Sequence, residues 1–242
     1  MLSVMRSIGR QKAEPLHPLL ARLDADGRSR VVAHLRAVEH RRGALLTEIG
    51  QPIRLVHLVE HGLIAIVGRD AAGASAEAGL VGPGGLIGVA ATLGLSRIAS
   101  RDAVSLSAAR TLAIDVTALE HVVALYPEVR RDLSAYAGHR HDQTARLCVC
   151  AALHTVEQRI ARWLLEAAAL CGGGPLDVTH AQFSNLLGVR RASITSGLHV
   201  LEGEQAIRCR RGQIEIRDMD GLARRSCGCE RLSASERRSH TA

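Results

Sequence analysis

The sequence predicts an α+β chain: an antiparallel sandwich or barrel, then one long helix, then two short helices joined at a glycine and closed by a β-hairpin. Three observations predict it. Short apolar runs broken by Gly, Pro or Asp fill Gly43 to Val116. The period changes to a helical one from Thr117, and a helix–Gly–helix pattern followed by alternating residues occupies Val178 to Ile216.

Composition bounds what the chain can do. Its 242 residues suffice for one large domain or two smaller ones, and 47% hydrophobic with 23% charged residues is globular. Aromatic residues are only 2%, so aromatic cages and base-stacking platforms lack material. The net charge of +7 and pI near 9.7 fit a polyanionic partner without specifying one. Lys12 is the only lysine. Arginine contacts phosphate and guanine bidentately, although GC-rich coding favours the same residue. No apolar run approaches the roughly 20 residues that cross a bilayer, and Met1 to Pro15 lacks the apolar stretch of a secretory signal. A cytoplasmic location without a membrane partner is expected.

Leu16 to Leu35 carries helical spacing through Leu19, Leu20, Leu23, Val31, Val32 and Leu35. The runs GALLTEIG, IRLVHLVEHG, LIAIVG, AEAGLVGPGG, LIGVAATLG and RDAVSLSAARTLAID follow as strands and turns. TALEHVVAL reads as a short helix capped by Thr117, and Pro127 stands at the next helix start. From there to Ala152 only Gly138 interrupts a long helix. Leu133, Ala137, Arg140, Thr144, Leu147 and Ala151 recur at coiled-coil spacing along it. VEQRIARWLLEAAAL is a further amphipathic helix, ended by Gly172-Gly173-Gly174-Pro175.

Thr179 is a good N-cap for a helix from His180 to Leu187 with Phe183, Leu186 and Leu187 inward. Gly188 supplies the sharp turn, Val189 plugs the angle, and a second helix from Arg190 or Arg191 buries Ile194, Leu198 and Leu201. Its outward stripe is Arg191, Ala192, Thr195, Ser196 and His199, short or hydrogen-bonding side chains suited to a major groove. Gly197 lies inside this helix against propensity. AIRCRRGQIEIRD then reads as strand, turn at Gly212, and strand: a wing with arginines at its tip. The expected DNA-contacting set is Thr179, His180, Arg190, Arg191, Ser193, Thr195, Ser196, His199, Arg208, Arg210 and Arg211. An αα-corner with a solvated basic face is the competing reading.

The order of Gly-spaced β-domain, long helix and winged helix resembles the Crp/Fnr family of bacterial transcription regulators. The residues that carry it are Gly50, Leu58, Val59, Gly62 and GPGGLIG (Gly82 to Gly88), then HTVEQRIARWLL and LGVRRASITSGLHVLEGEQAIRCRRGQIEI. The resemblance implies a cyclic-nucleotide-binding-like β-roll, dimerisation through the long helix, double-stranded DNA as partner, RNA polymerase as a further partner, and control of promoters. It divides the chain into a β-roll sensor (1–116), the short and long helices (117–153), a winged helix-turn-helix (154–223) and an Arg- and Ser-rich tail (224–242) expected to be disordered. Where cyclic-nucleotide binders carry a ribose-holding Glu, this chain has Val89, and the phosphate-holding Arg-Ser pair falls on Ala99-Ser100, with Arg97 and Arg101 nearby. No tight binding of cyclic AMP is expected. The recognition helix has Ala192 in place of the family's frequent Glu, so no DNA consensus transfers.

The six cysteines all fall at or after Cys148, which excludes the family's N-terminal iron–sulfur cluster and suggests reduced thiols. Cys148 and Cys150 point to different sides of the long helix. Cys227-Gly-Cys229, with Cys171, Cys209 and histidines, is one conceivable metal or redox set; ordinary thiols are preferred and no metal or cofactor is expected. Scattered histidines such as His34, His40, His57, His61, His139 and His141 read as surface or core residues. No nucleophile elbow, Walker loop or HExxH is present, so no catalytic residues are expected. The rival to a DNA-binding regulator is a signalling or scaffold protein whose β-domain binds a ligand or partner and whose winged helix docks protein.

Overall fold

The computed structural model describes residues 17–21 and 23–231. The helical spacing expected over Leu16–Leu35 is split between α1 (Pro18–Ala21) and α2 (Ala25–Val32), because the Asp24 carboxylate accepts from the Gly27 N–H at 2.7 Å and starts a new helix. Leu16 lies outside the described residues.

The β-domain contains β1 (Arg36–His40), β2 (Leu45–Thr47), β3 (Leu55–His61), β4 (Ile64–Arg69), β5 (Ser75–Val81), β6 (Leu86–Ile87), a short α3 (Val89–Thr92), β7 (Asp102–Ser105) and β8 (Ala109–Asp115). These strands form two four-stranded antiparallel sheets, β1-β8-β3-β6 and β2-β7-β4-β5. Val59 and Ile87 of the first sheet meet Ile64, Val81 and Ala103 of the second in one buried cluster. Val56 and Leu58 instead join Leu86, Val89 and the helices α1 and α2. Both faces of β3 are therefore covered, which is why LVHLV reads as a run without polar alternation. His57 inside that run pairs its Nδ1 with Thr111 Oγ1 at 3.1 Å, and burial pushes its pKa down to about 4. GPGGLIG forms the turn into β6 and ends at Gly88, whose φ is +89°. A Cβ there would stand 2.6 Å from the Leu55 carbonyl oxygen, so the position admits only glycine.

Helix α4 (Val116–Leu125) starts one residue before the expected Thr117 cap; Asp115 holds the N-cap position, and the Val116 N–H is tied to the Arg54 carbonyl at 3.0 Å. Val116, placed with the β-domain from sequence, is thus the first helical residue. Pro127 begins α5 (Pro127–Leu153) as expected. The seam read on this helix is corrected. Leu133 is buried in the β-domain core, Arg140 donates to the Leu80 carbonyl at 2.7 Å, and Thr144 donates to the Ala78 carbonyl at 2.9 Å. The first part of that stripe thus packs on the chain's own β-domain, Arg140 and Thr144 on β5, while Ala151 at its end is exposed. The exposed stripe is one residue further on: Ser134, Gly138, His141, Ala145, Cys148 and Ala152.

After His154, α6 (Val156–Cys171) opens on a capping box between Thr155 and Gln158 and ends at Gly172 with φ +73°. The remaining elements are β9 (Leu176–Asp177), α7 (His180–Leu187), α8 (Arg191–Gly203), β10 (Ile207–Arg210), β11 (Gln213–Ile216) and α9 (Met219–Arg225). Strands β10-β11-β9 make a small antiparallel sheet. The chain's single Trp and single Phe, Trp163 and Phe183, pack with ring centroids 4.7 Å apart between α6 and α7. The tail expected to be disordered from residue 224 is ordered over 224–231. It completes α9 and turns at Gly228 (φ +77°), bringing Cys227 to Cys150 of α5; residues 232–242 lie outside the described ones.

Candidate nucleic-acid interface

The helix–turn–helix folds as its residues dictate. Thr179 caps α7 through its own capping box, its hydroxyl accepting from the Gln182 N–H at 3.2 Å. Gly188 takes the left-handed conformation (φ 62°), and Ser184 Oγ fixes the turn by donating to the Val189 carbonyl at 2.5 Å. Ile194, Leu198 and Leu201 anchor α8 in the domain core. That anchoring turns the opposite face to solvent. Arg190, Arg191, Ala192, Ser196 and His199 are exposed along it, and Ser193 and Thr195 are half-buried.

Thr195 Oγ1 donates to the Arg191 carbonyl at 3.1 Å and lies 3.2 Å from His180 Nδ1. Thr195 therefore bridges the two helices, and His180 stands beside the outward stripe. The wing pairs Ile207 with Ile216 and Arg210 with Gln213 around a turn at Arg211-Gly212. Ile214 faces the core, so Arg208, Arg210 and Arg211 project outward. Gln213 Nε2 donates to Asp177 at 2.8 Å and braces the wing against β9. All eleven sequence-expected residues lie on α7, α8 or the wing, or at the N-caps of the two helices, Thr179 and Arg190. Thr195 is the one already engaged in both directions.

In the β-domain, Val89 is buried at the start of α3 and Ala99 is buried beside Gly50, whose N–H it holds at 2.8 Å through its carbonyl. Arg97 is taken up by Glu120 at 2.5 Å. Burial lowers the pKa of Arg101, and the Arg140 charge adds to the effect. Tyr136 Oη bridges the N–H and carbonyl of Leu86 at 2.8 and 2.9 Å. Arg140 and Gln143 crowd Gly79, where a Cβ would stand 2.8 Å from each of their polar ends.

A β-roll, a long helix and a winged helix with an arginine-tipped hairpin together make the architecture of a transcriptional regulator. Residues 37–126 match the sequence model of the cyclic nucleotide-binding domain, and residues 158–225 match that of the Crp-like helix-turn-helix domain. The chain belongs to the Crp/Fnr family of transcriptional regulators. Solved structures share the fold. A Crp/Fnr-family regulator from Eubacterium rectale superposes with a TM-score of 0.70 at 18% identity, over 88% of this chain and 98% of its own. FixK2 from Bradyrhizobium japonicum gives 0.69 at 17% identity, over 80% and 98%. A Crp/Fnr-family regulator from Thermus thermophilus gives 0.64 at 25% identity, over 78% and 97%. No curated protein sequence matches the chain. Among the described residues no helix is long and apolar enough to cross a membrane.

The conceivable thiol set is corrected. Cys227 and Cys229 do not meet Cys171, which is exposed at the end of α6, or Cys209, which sits in β10 with its N–H on Glu202. They meet Cys150 and His154. The signal that could have found them is the i, i+4 spacing of Cys150 and His154 at a helix end, which puts both on one side.

Proposed function

We propose that the chain works as a homodimer that binds a pseudo-palindromic site in double-stranded DNA and regulates transcription there from the cytoplasm, with no catalytic step of its own. The carrying observation is the outward face of α8 beside the wing: Arg191, Ala192, Ser196 and His199 exposed on a helix whose other face is locked in the core. In this reading Arg191 at the first turn contacts guanine O6 and N7, Ser196 and Thr195 contact bases or phosphate, and Ala192 offers an apolar surface to a thymine methyl. Arg208, Arg210 and Arg211 hold phosphate, as do Thr179, His180, Arg190 and Ser193 around the helix starts. His199 extends the stripe. The two copies of α8 sit roughly 34 Å apart, one turn of DNA. The copies pair through the exposed stripe of α5, continued by Val149 (54% exposed) and Leu153 (74%). RNA polymerase is a further partner.

The cyclic-nucleotide pocket of the family does not fit the residues present. A carboxylate for the ribose hydroxyl is replaced by the buried Val89, while Arg140 and Gln143 crowd Gly79 of β5 and Tyr136 is bonded to Leu86 of β6. These features support a sensor that does not use cyclic AMP.

Genomic footprinting identifies the site, and gel shifts on it test the assignment. Affinity should fall steeply with salt. Arg191→Ala should relax sequence discrimination by roughly 1–3 kcal/mol, whereas Arg211→Ala should weaken all sequences alike and reduce the salt slope by about 1. Equal losses from Arg191→Ala on specific and random DNA would remove Arg191 from base readout. The absence of any retarded fragment would favour a winged helix that docks protein.

A further inference from the structure

Cys150, His154, Cys227 and Cys229 reach one point from three parts of the chain. Cys150 lies in the last turn of α5, His154 at the joint before α6, and the two remaining cysteines in the segment after α9. Their ligand atoms all lie within 4.8 Å of one another. Cys150 Sγ stands 3.6 Å from Cys227 Sγ, and Cys229 Sγ stands 3.8 Å from His154 Nδ1.

These separations discriminate between chemistries. A disulfide would need its sulfurs about 2.05 Å apart and would leave the third thiol and the imidazole unexplained. A polynuclear iron–sulfur cluster spaces two ligands of the same iron no differently, but it sets ligands of different irons much farther apart than the 4.8 Å that contains all four atoms here. One tetrahedral ion, with thiolates at about 2.3 Å and imidazole nitrogen at about 2.0–2.1 Å, holds its ligand atoms roughly 3.5–3.8 Å apart. Both sulfur separations fall at that spacing.

The backbone is shaped to the same end. Cys150 and His154 are i, i+4, and His154 leaves the helix in an extended conformation (φ −112°, ψ 147°) with its N–H still on the Cys150 carbonyl at 3.1 Å. Gly228, at φ +77°, reverses the chain between the other two cysteines. Cys150 is buried and the other three are half-buried, so the cage is closed on the protein side. Three thiolates around a divalent ion leave a net charge of −1. The Arg159 and Arg162 guanidinium groups on α6 interact electrostatically with Cys150 and Cys227, which offsets that charge. Sulfur and imidazole donors in a four-coordinate, all-protein set select Zn²⁺.

The geometry points to a mononuclear Cys₃His zinc site at Cys150, His154, Cys227 and Cys229, which clamps the chain after α9 onto the joint between α5 and α6. Helix α5 is packed on the β-domain and α6 opens the winged helix domain, so the ion fixes the angle between them.

The full-length chain, purified without chelators, should carry one zinc per chain by elemental analysis. After removal of that zinc, Co²⁺ should restore the site with the strong visible absorption of a tetrahedral thiolate complex. Cys227→Ser combined with Cys229→Ser should abolish both, while Cys171→Ser and Cys209→Ser should keep them. Zinc-free protein that takes up no ion from excess Zn²⁺ overturns the site, as does zinc retained in the double variant. Iron with acid-labile sulfide in place of zinc, in protein prepared anaerobically, overturns the mononuclear assignment. The wild-type cobalt spectrum decides the question even if the double variant fails to fold.

Discussion

Gly197 occupies the middle of the helix proposed to read DNA, where its propensity costs roughly 1 kcal/mol relative to alanine. The cost has a packing reason. A Cβ at this position would stand 2.6 Å from Ile160 Cδ1 and 3.5 Å from Glu157 Cγ, so the missing side chain lets α8 approach α6. Gly197→Ala should therefore destabilise the fold by roughly 1–3 kcal/mol in chemical denaturation, despite its better helix propensity. An Ile160→Val background should return part of the loss; a neutral or stabilising Gly197→Ala would mean the approach is not limiting. Gly188 makes the contrast. Its left-handed turn is written in the local pattern of two apolar helices, so sequence alone places it. The reason for Gly197 lies on another helix, and no local pattern carries it. The same holds for Cys150 and Cys227, whose meeting depends on how the chain returns after α9.

Helix α5 shows what an element's pattern leaves open. Its length, its Pro127 start and its heptad spacing are all legible, because they depend only on residues within it. Which of two adjacent stripes meets the β-domain is not, since any packed face repeats at threes and fours. The structure buries Leu133 in the β-domain core, bonds Arg140 and Thr144 to β5, and leaves Ser134, Gly138, Ala145 and Ala152 outward. The two faces should respond differently to substitution. Ala145→Glu should convert the proposed dimer to monomer in sedimentation equilibrium, with little change in the stability of the monomer. Thr144→Ala should lower stability by about 1 kcal/mol through the lost hydrogen bond, with the mass unchanged. A dimer that survives Ala145→Glu would place the interface elsewhere.

Across the whole molecule the β-domain and the winged helix share a core. Leu63, Ala65, Leu80 and Leu106 of the β-domain lie in one buried cluster with Trp163, Phe183, Leu186 and Leu187. Beside it, Gln143 of α5 donates to Glu166 at 2.6 Å, and Arg162 pairs with the same carboxylate at 2.7 Å, with both partners almost fully buried. Glu77 of β5 faces this group, and burial pushes its pKa up to about 7 while Arg162 pulls it back. Shared apolar surface and the buried hydrogen bond from Gln143 of α5 to Glu166, whose carboxylate is also paired with Arg162 within α6, make it costly to open one half alone. Heating should thus give one transition, with Trp163 fluorescence from the winged helix domain and far-UV circular dichroism from the whole chain coinciding. Glu166→Ala, which removes the hydrogen-bonded carboxylate of Arg162 and the acceptor of Gln143 while leaving Glu77 nearby, should cost about 1–3 kcal/mol and lower both signals together. Two separated transitions in the wild-type chain would show that the halves are independent bodies, and any signal from the β-domain to α8 would then have to pass through α5 and the joint at His154.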